Sequence, residues 1–72
     1  MKKEFQVHKL NESGMAAAQA LAAHFSVLLD QVEELCQGGD GRCLAIVRTK
    51  LEEACFFAKK SLASVPGNQA AE

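Results

Sequence analysis

The sequence predicts an all-α protein: an antiparallel two-helix hairpin assembled with its own copies into a homo-oligomeric helical bundle. Three observations point there. Two long segments carry apolar residues at alternating steps of three and four, a glycine-rich stretch separates them, and the whole chain has only 72 residues. Apolar residues make up 49% of it, but there is no Trp or Tyr and alanine supplies much of that fraction. Two helices facing each other bury one stripe apiece. Chains this short reach stability through disulfides, a metal or association.

The first helix is expected over about residues 12–36. Asn11 can cap it by accepting from a free backbone N–H of the first turn, and Glu12 suits the positive end of the helix dipole. Leu10 and Met15 fit a hydrophobic staple across that cap, while Gly14 is a mild cost so early in a helix. Met15, Ala18, Ala22, Phe25, Leu29, Val32 and Cys36 form a seam with heptad spacing. Leu21, Leu28 and Leu35 form a second row beside it. One partner helix covers the seam and leaves the leucine row for another subunit.

Gln37-Gly38-Gly39-Asp40-Gly41 ends this helix, with Gly38 able to take the left-handed conformation and Asp40 able to cap the next helix. So short a connection favours antiparallel neighbours. The second helix is expected over about residues 41–63. Its seam is Leu44, Val47, Leu51, Ala54, Ala58 and Leu62, with Cys43, Ile46, Phe56 and Phe57 off it. Phe56 and Phe57 therefore join the leucine row as expected subunit contacts. Ser64-Val65-Pro66-Gly67 stops the helix. The organisation is then an N-terminal arm (1–10), a helical hairpin (11–64) and a disordered tail (65–72). In the arm, Phe5 and Val7 alternate, as in an extended segment packed on another subunit.

Three cysteines, Cys36, Cys43 and Cys55, are an odd number, and no signal-peptide pattern opens the sequence, so a reduced, intracellular protein is expected. Cys36 and Cys43 flank the loop, but a structural bridge between them is disfavoured in that compartment. His8 and His24 show no metal-ligand spacing with the cysteines, and no nucleophile–base constellation or Walker-type phosphate loop is present. Neither a cofactor nor catalysis is expected. No stretch has the run of apolar residues a membrane span needs. The formal net charge of −1 argues against coating DNA, and Glu52 and Glu53 argue against a DNA-reading second helix. A small anionic ligand needs only a few placed cations.

Arg42 stands at the start of the second helix, where a cation is unfavourable to the dipole. It is either a solvated surface arginine or an anion contact aided by free N–H groups nearby. Thr49 follows seven residues later on roughly the same side, and a mid-helix threonine can instead bond back to its own helix. Arg48 can pair with Glu52 one turn on.

The stretch Arg42-Cys43-Leu44-Ala45-Ile46-Val47-Arg48-Thr49-Lys50-Leu51-Glu52-Glu53-Ala54, continued by Phe56-Phe57-Ala58-Lys59-Lys60, resembles the second-helix signature of the phage anti-CBASS cyclic-nucleotide sponge family. Leu10-Asn11-Glu12 with Phe25 and Leu28-Leu29 is similar to its first helix. A related hairpin occurs in a Thoeris anti-defence sponge. The resemblance covers residues 5–63. It implies a homohexamer in the cytoplasm of the infected bacterium that sequesters cyclic dinucleotide or trinucleotide immune messengers without cleaving them. It implies Arg42 in the trinucleotide pocket, with Arg48 and Thr49 beside it. The family's dinucleotide pocket uses an aromatic from the arm and a lysine on the first helix. Here the arm offers Phe5, His8 and Lys9, and the first helix is alanine-rich at the matching stretch. The competing expectation is a structural or adaptor oligomer with no small-molecule ligand.

Overall fold

A computed structural model describes residues 9–70. Two helices, α1 (Glu12–Leu35) and α2 (Gly41–Ala63), fold against each other as an antiparallel hairpin, followed by a 3₁₀ turn over Pro66–Asn68. The Asn11 carboxamide oxygen accepts from the Gly14 N–H at 2.8 Å, and the Asp40 carboxylate accepts from the Arg42 N–H at 2.9 Å. Each side chain satisfies a donor that the first turn of its helix leaves unpaired. Between the helices, the Gly39 N–H donates to the Cys36 carbonyl at 2.9 Å across a turn in which Gly38 takes φ 84°. That conformation is open to glycine and strained for other residues.

The hairpin measures 50 × 25 × 11 Å with a radius of gyration of 15.4 Å. Its thickness is that of one helix, and a compact domain of this size would have a radius near ~11 Å. A single layer cannot enclose a core, and among the described residues no apolar side chain is buried. On α1 the half-buried face contains Ala18, Ala22, Phe25, Leu29 and Val32, the middle of the expected seam. The expected ends differ: Met15 and Cys36 are exposed, Met15 in the first turn of α1 and Cys36 at its C-cap, beyond the last helical residue. Leu21, expected in the outer row, is half-buried. In place of the expected staple to Met15, Leu10 lies over Gly14, whose missing side chain leaves room for it.

On α2 the half-buried residues are Leu44, Leu51, Cys55, Ala58, Leu62 and Ala63. Val47 and Ala54, expected in the seam, are exposed. Leu44, Leu51, Ala58 and Leu62 keep the expected seam, and between them Arg48 and Cys55 line the inter-helix groove where Val47 and Ala54 were expected. Arg48 does so with its stem, while its guanidinium reaches Glu33 of α1 at 2.8 Å. A rule that admits only apolar residues to a seam skips a cation whose partner sits across it.

Residues 65–70, expected as a disordered tail, fold back over the open end of the hairpin. The Asn11 N–H donates to the Asn68 carbonyl at 2.9 Å, the Ala70 N–H donates to the Lys9 carbonyl at 2.8 Å, and Leu10 forms an antiparallel bridge with Gln69. Composition suggests a free tail here, but side-chain amides and a bare glycine give the backbone partners.

Candidate functional site

Arg42 is exposed, and among the described residues its guanidinium makes no ion pair. Its backbone has a different setting from the one expected. The N–H groups at this helix start are not open to an anion, because the Asp40 carboxylate occupies them. The Cys43 thiol, donating at 3.4 Å, together with the Arg42 and Cys43 N–H groups, holds the Asp40 carboxyl below its ordinary range. A fixed negative charge therefore caps the helix and repels a phosphate from it. What Arg42 offers a ligand is its guanidinium alone, a planar donor that can bond phosphate in bidentate fashion.

Arg48 is engaged with Glu33 across the hairpin, and not with Glu52 as expected. Both partners are substantially exposed, so a ligand can compete for the pair at small cost. The Thr49 hydroxyl donates to the Ala45 carbonyl at 3.1 Å, bonding back to its own helix. Its oxygen lone pairs are still exposed to an outside donor. Lys50 approaches Glu53 at 3.9 Å. Arg42, Arg48 and Thr49 thus share the loop-proximal half of α2. Lys9 is exposed at the other end, separated from Arg42 by the length of α1, roughly 35 Å at 1.5 Å per residue. One chain cannot bring Lys9 and Arg42 to one small ligand. His8, Phe5 and Val7 lie outside the described residues.

Two concavities flank this half of the molecule. An inter-helix groove of about 190 Å³ is lined by Phe25, Leu29, Leu51 and Cys55, with Arg48 and Glu52 at its rim. That is smaller than the ~300–1,000 Å³ of sites that engulf drug-sized ligands. A wider one of about 490 Å³ at the loop is walled by Glu33 and Glu34, the wrong sign for a phosphate. Among the described residues no group of His, Cys, Asp and Glu is arranged to hold a metal ion, and no helix is long and apolar enough to cross a membrane. Cys36, Cys43 and Cys55 are free thiols.

The outer faces are the other prominent feature. Leu28 is 43% exposed, Leu35 86%, Phe56 62% and Phe57 59%, with the two rings meeting edge to face at 5.4 Å between centroids. Glu33, Gly14 and Asn68 carry structural roles that sequence reasoning missed. Only Gly14 left a signal, as a helix-weakening residue with no evident local purpose.

Fold and surface define a class: a thin two-helix hairpin domain with large uncovered apolar side chains and cations grouped on its second helix. The chain belongs to the Acb2/Tad1 hairpin-domain family, whose model matches residues 1–63. This is the anti-CBASS and anti-Thoeris sponge family that the second-helix signature resembles. No curated protein and no solved structure matches the chain.

Proposed function

We propose that this protein is a non-catalytic sponge, a homohexamer in the cytoplasm of an infected bacterium. It binds cyclic oligonucleotide immune messengers, cyclic trinucleotides or dinucleotides, and blocks the signalling that depends on them. Membership of the hairpin family carries this reading. The hairpin adds a physical reason for assembly: among the described residues, the inter-helix groove is too small for a cyclic oligonucleotide and the loop concavity is of the wrong charge. The ligand site is then shared between copies, with Arg42 guanidinium groups converging on the phosphates. In an empty site these like charges repel, so a bound anion relieves strain as well as forming charge-assisted bonds. Arg48 and Thr49 line the same site from about two turns further along α2, and His8 and Lys9 serve a second pocket near the arm.

The exposed leucine and phenylalanine faces also fit an adaptor oligomer without a ligand. Native mass spectrometry with cyclic di- and trinucleotides separates the two. A sponge shows a stoichiometric mass shift and releases intact cyclic ligand on heat denaturation. An assembly with no shift is an adaptor, and a linearised product makes the protein a nuclease.

A further inference from the structure

Residues 65–70 lie beyond the family-matched region and do two things at once. Their side chains cap α2: the Asn68 amide donates to the Leu62 carbonyl at 3.1 Å and the Gln69 amide donates to the Ala63 carbonyl at 3.0 Å. Both carbonyls belong to the last turn of the helix, which has no next turn to bond; Leu62 also accepts from the Val65 N–H at 3.2 Å. Their backbone holds the chain entering α1. The Asn11 amide donates to the Gly67 carbonyl at 2.9 Å and to the Gln69 carbonyl at 3.3 Å, beside the two backbone bonds from Asn11 to Asn68 and from Ala70 to Lys9.

Gly14 shows that α1 is fitted to this contact. It is the buried residue of α1, and a Cβ built on it collides with the Asn68 carbonyl oxygen. Its φ is not in the left-handed region, so its own backbone does not require glycine. Alanine would favour the helix. The sequence gives up helix propensity there, and the close approach of Asn68 is what it gains.

The contact is also easily undone. Val65, Pro66 and Gly67 are exposed, and Asn68, Gln69 and Ala70 only half-buried. Release exposes little apolar surface and leaves the inter-helix face intact. Elements held by a few water-accessible hydrogen bonds open locally, without global unfolding.

We propose that Val65–Ala70 is a releasable strap that clamps the base of the N-terminal arm, holding Lys9 and Leu10 against the open end of the hairpin. The strap sets where the arm leaves the fold. This inference concerns the chain's own conformation and stands whether or not a cyclic oligonucleotide binds.

The peptide bond after Lys9 is a trypsin site held within the strap contact, and cleavage there requires local release. Two full-length variants test the strap. Gly14→Ala strengthens α1 but removes the room for Asn68. Ala70→Pro removes the N–H that donates to Lys9 and touches neither helix; the extended Gln69 before it accepts a following proline. The expected result is cleavage after Lys9 accelerated at least tenfold in Gly14→Ala and severalfold in Ala70→Pro. Rates after Arg42 and Lys50, both remote from the strap, and the helical circular dichroism stay unchanged. Cleavage after Lys9 at the wild-type rate in either variant overturns the proposal. So does equal acceleration at all sites, which assigns Gly14 to the stability of the whole hairpin. Should Gly14→Ala fail to fold, Ala70→Pro decides alone.

Discussion

At the loop end, Gly38 and the Asp40 cap reverse the chain with bonds between residues two to four apart. At the open end, closure depends on hydrogen bonds between residues 56 and 58 positions apart, from Asn11 to Gly67 and Gln69. The first end is finished by its local sequence and leaves Arg42 projecting without an ion-pair partner among the described residues. The second consumes its polar groups in holding itself together. A residue's availability to a ligand thus follows from how its end of the hairpin is closed. The same contrast separates two arginines of α2: Arg42 is available, whereas Arg48 is engaged with Glu33.

Arg42→Ala probes this contrast most strongly. Removing one charged hydrogen bond costs roughly 1.5–3 kcal/mol, and a shared site loses one per contributing subunit. Affinity for a cyclic trinucleotide is expected to fall at least ~100-fold, with the melting temperature nearly unchanged. Calorimetry and thermal melting on the same samples check this. Unchanged affinity would place Arg42 among solvated surface arginines, and loss of the oligomer would make it an interface residue.

Leu28→Lys comes next. In a lone hairpin this side chain is already 43% exposed and the lysine is tolerated. In an assembly that covers it, each subunit loses about 2 kcal/mol of apolar burial and gains a buried charge. Light scattering should show dissociation while wild type remains larger than a dimer. Wild type running as a folded monomer at micromolar concentration would end the case for assembly.

A smaller effect is expected at Arg48. Its pair with Glu33 is surface-exposed and contributes at most about 1 kcal/mol. A double-mutant cycle of Arg48→Ala and Glu33→Gln should give a coupling in that range that falls with added salt. No coupling at low salt would show that Arg48 is as free as Arg42 and dissolve the contrast between them.

The smallest effect is in the pH dependence of the loop end. The Asp40 carboxyl is lowered in the folded chain by the Cys43 thiol and the Arg42 and Cys43 N–H groups. The unfolded chain therefore takes up a proton first as pH falls. Asp40 contributes its full share of stability above the unfolded value of 3.8, and that share is lost as pH falls through the lower folded value. Asp40→Asn should flatten the melting temperature in that acid window and leave the neutral-pH slope unchanged. A difference in slope near pH 7 would point to another titrating group.

Most of the hairpin was legible in the residues. The cap at Asn11, the left-handed Gly38 and the alternating apolar steps are local properties, and helix periodicity converts them directly into faces. For the candidate site, the sequence marks Arg42 as a cation set against the helix dipole and Asp40 as the cap of the same helix. The sequence left open which of the two wins: the Asp40 carboxylate closes the helix start, and a capping aspartate and an anion site depend on the same N–H groups. Arg48 was placed with Glu52 because a partner one turn away is visible in sequence, while Glu33 is a neighbour only after the chain turns back.

The sequence by itself determined two helices, their turn, the absence of an enclosed core and the excess of apolar surface, because each depends on composition or on spacing within one helix. Tertiary structure alone decided that Arg48 and Cys55, and not Val47 and Ala54, line the α2 groove, the pairing of Arg48 and the fate of residues 65–70. Those outcomes depend on which groups from distant positions come within hydrogen-bonding reach. A glycine, two side-chain amides and a few backbone carbonyls carry no periodic signal that would announce it.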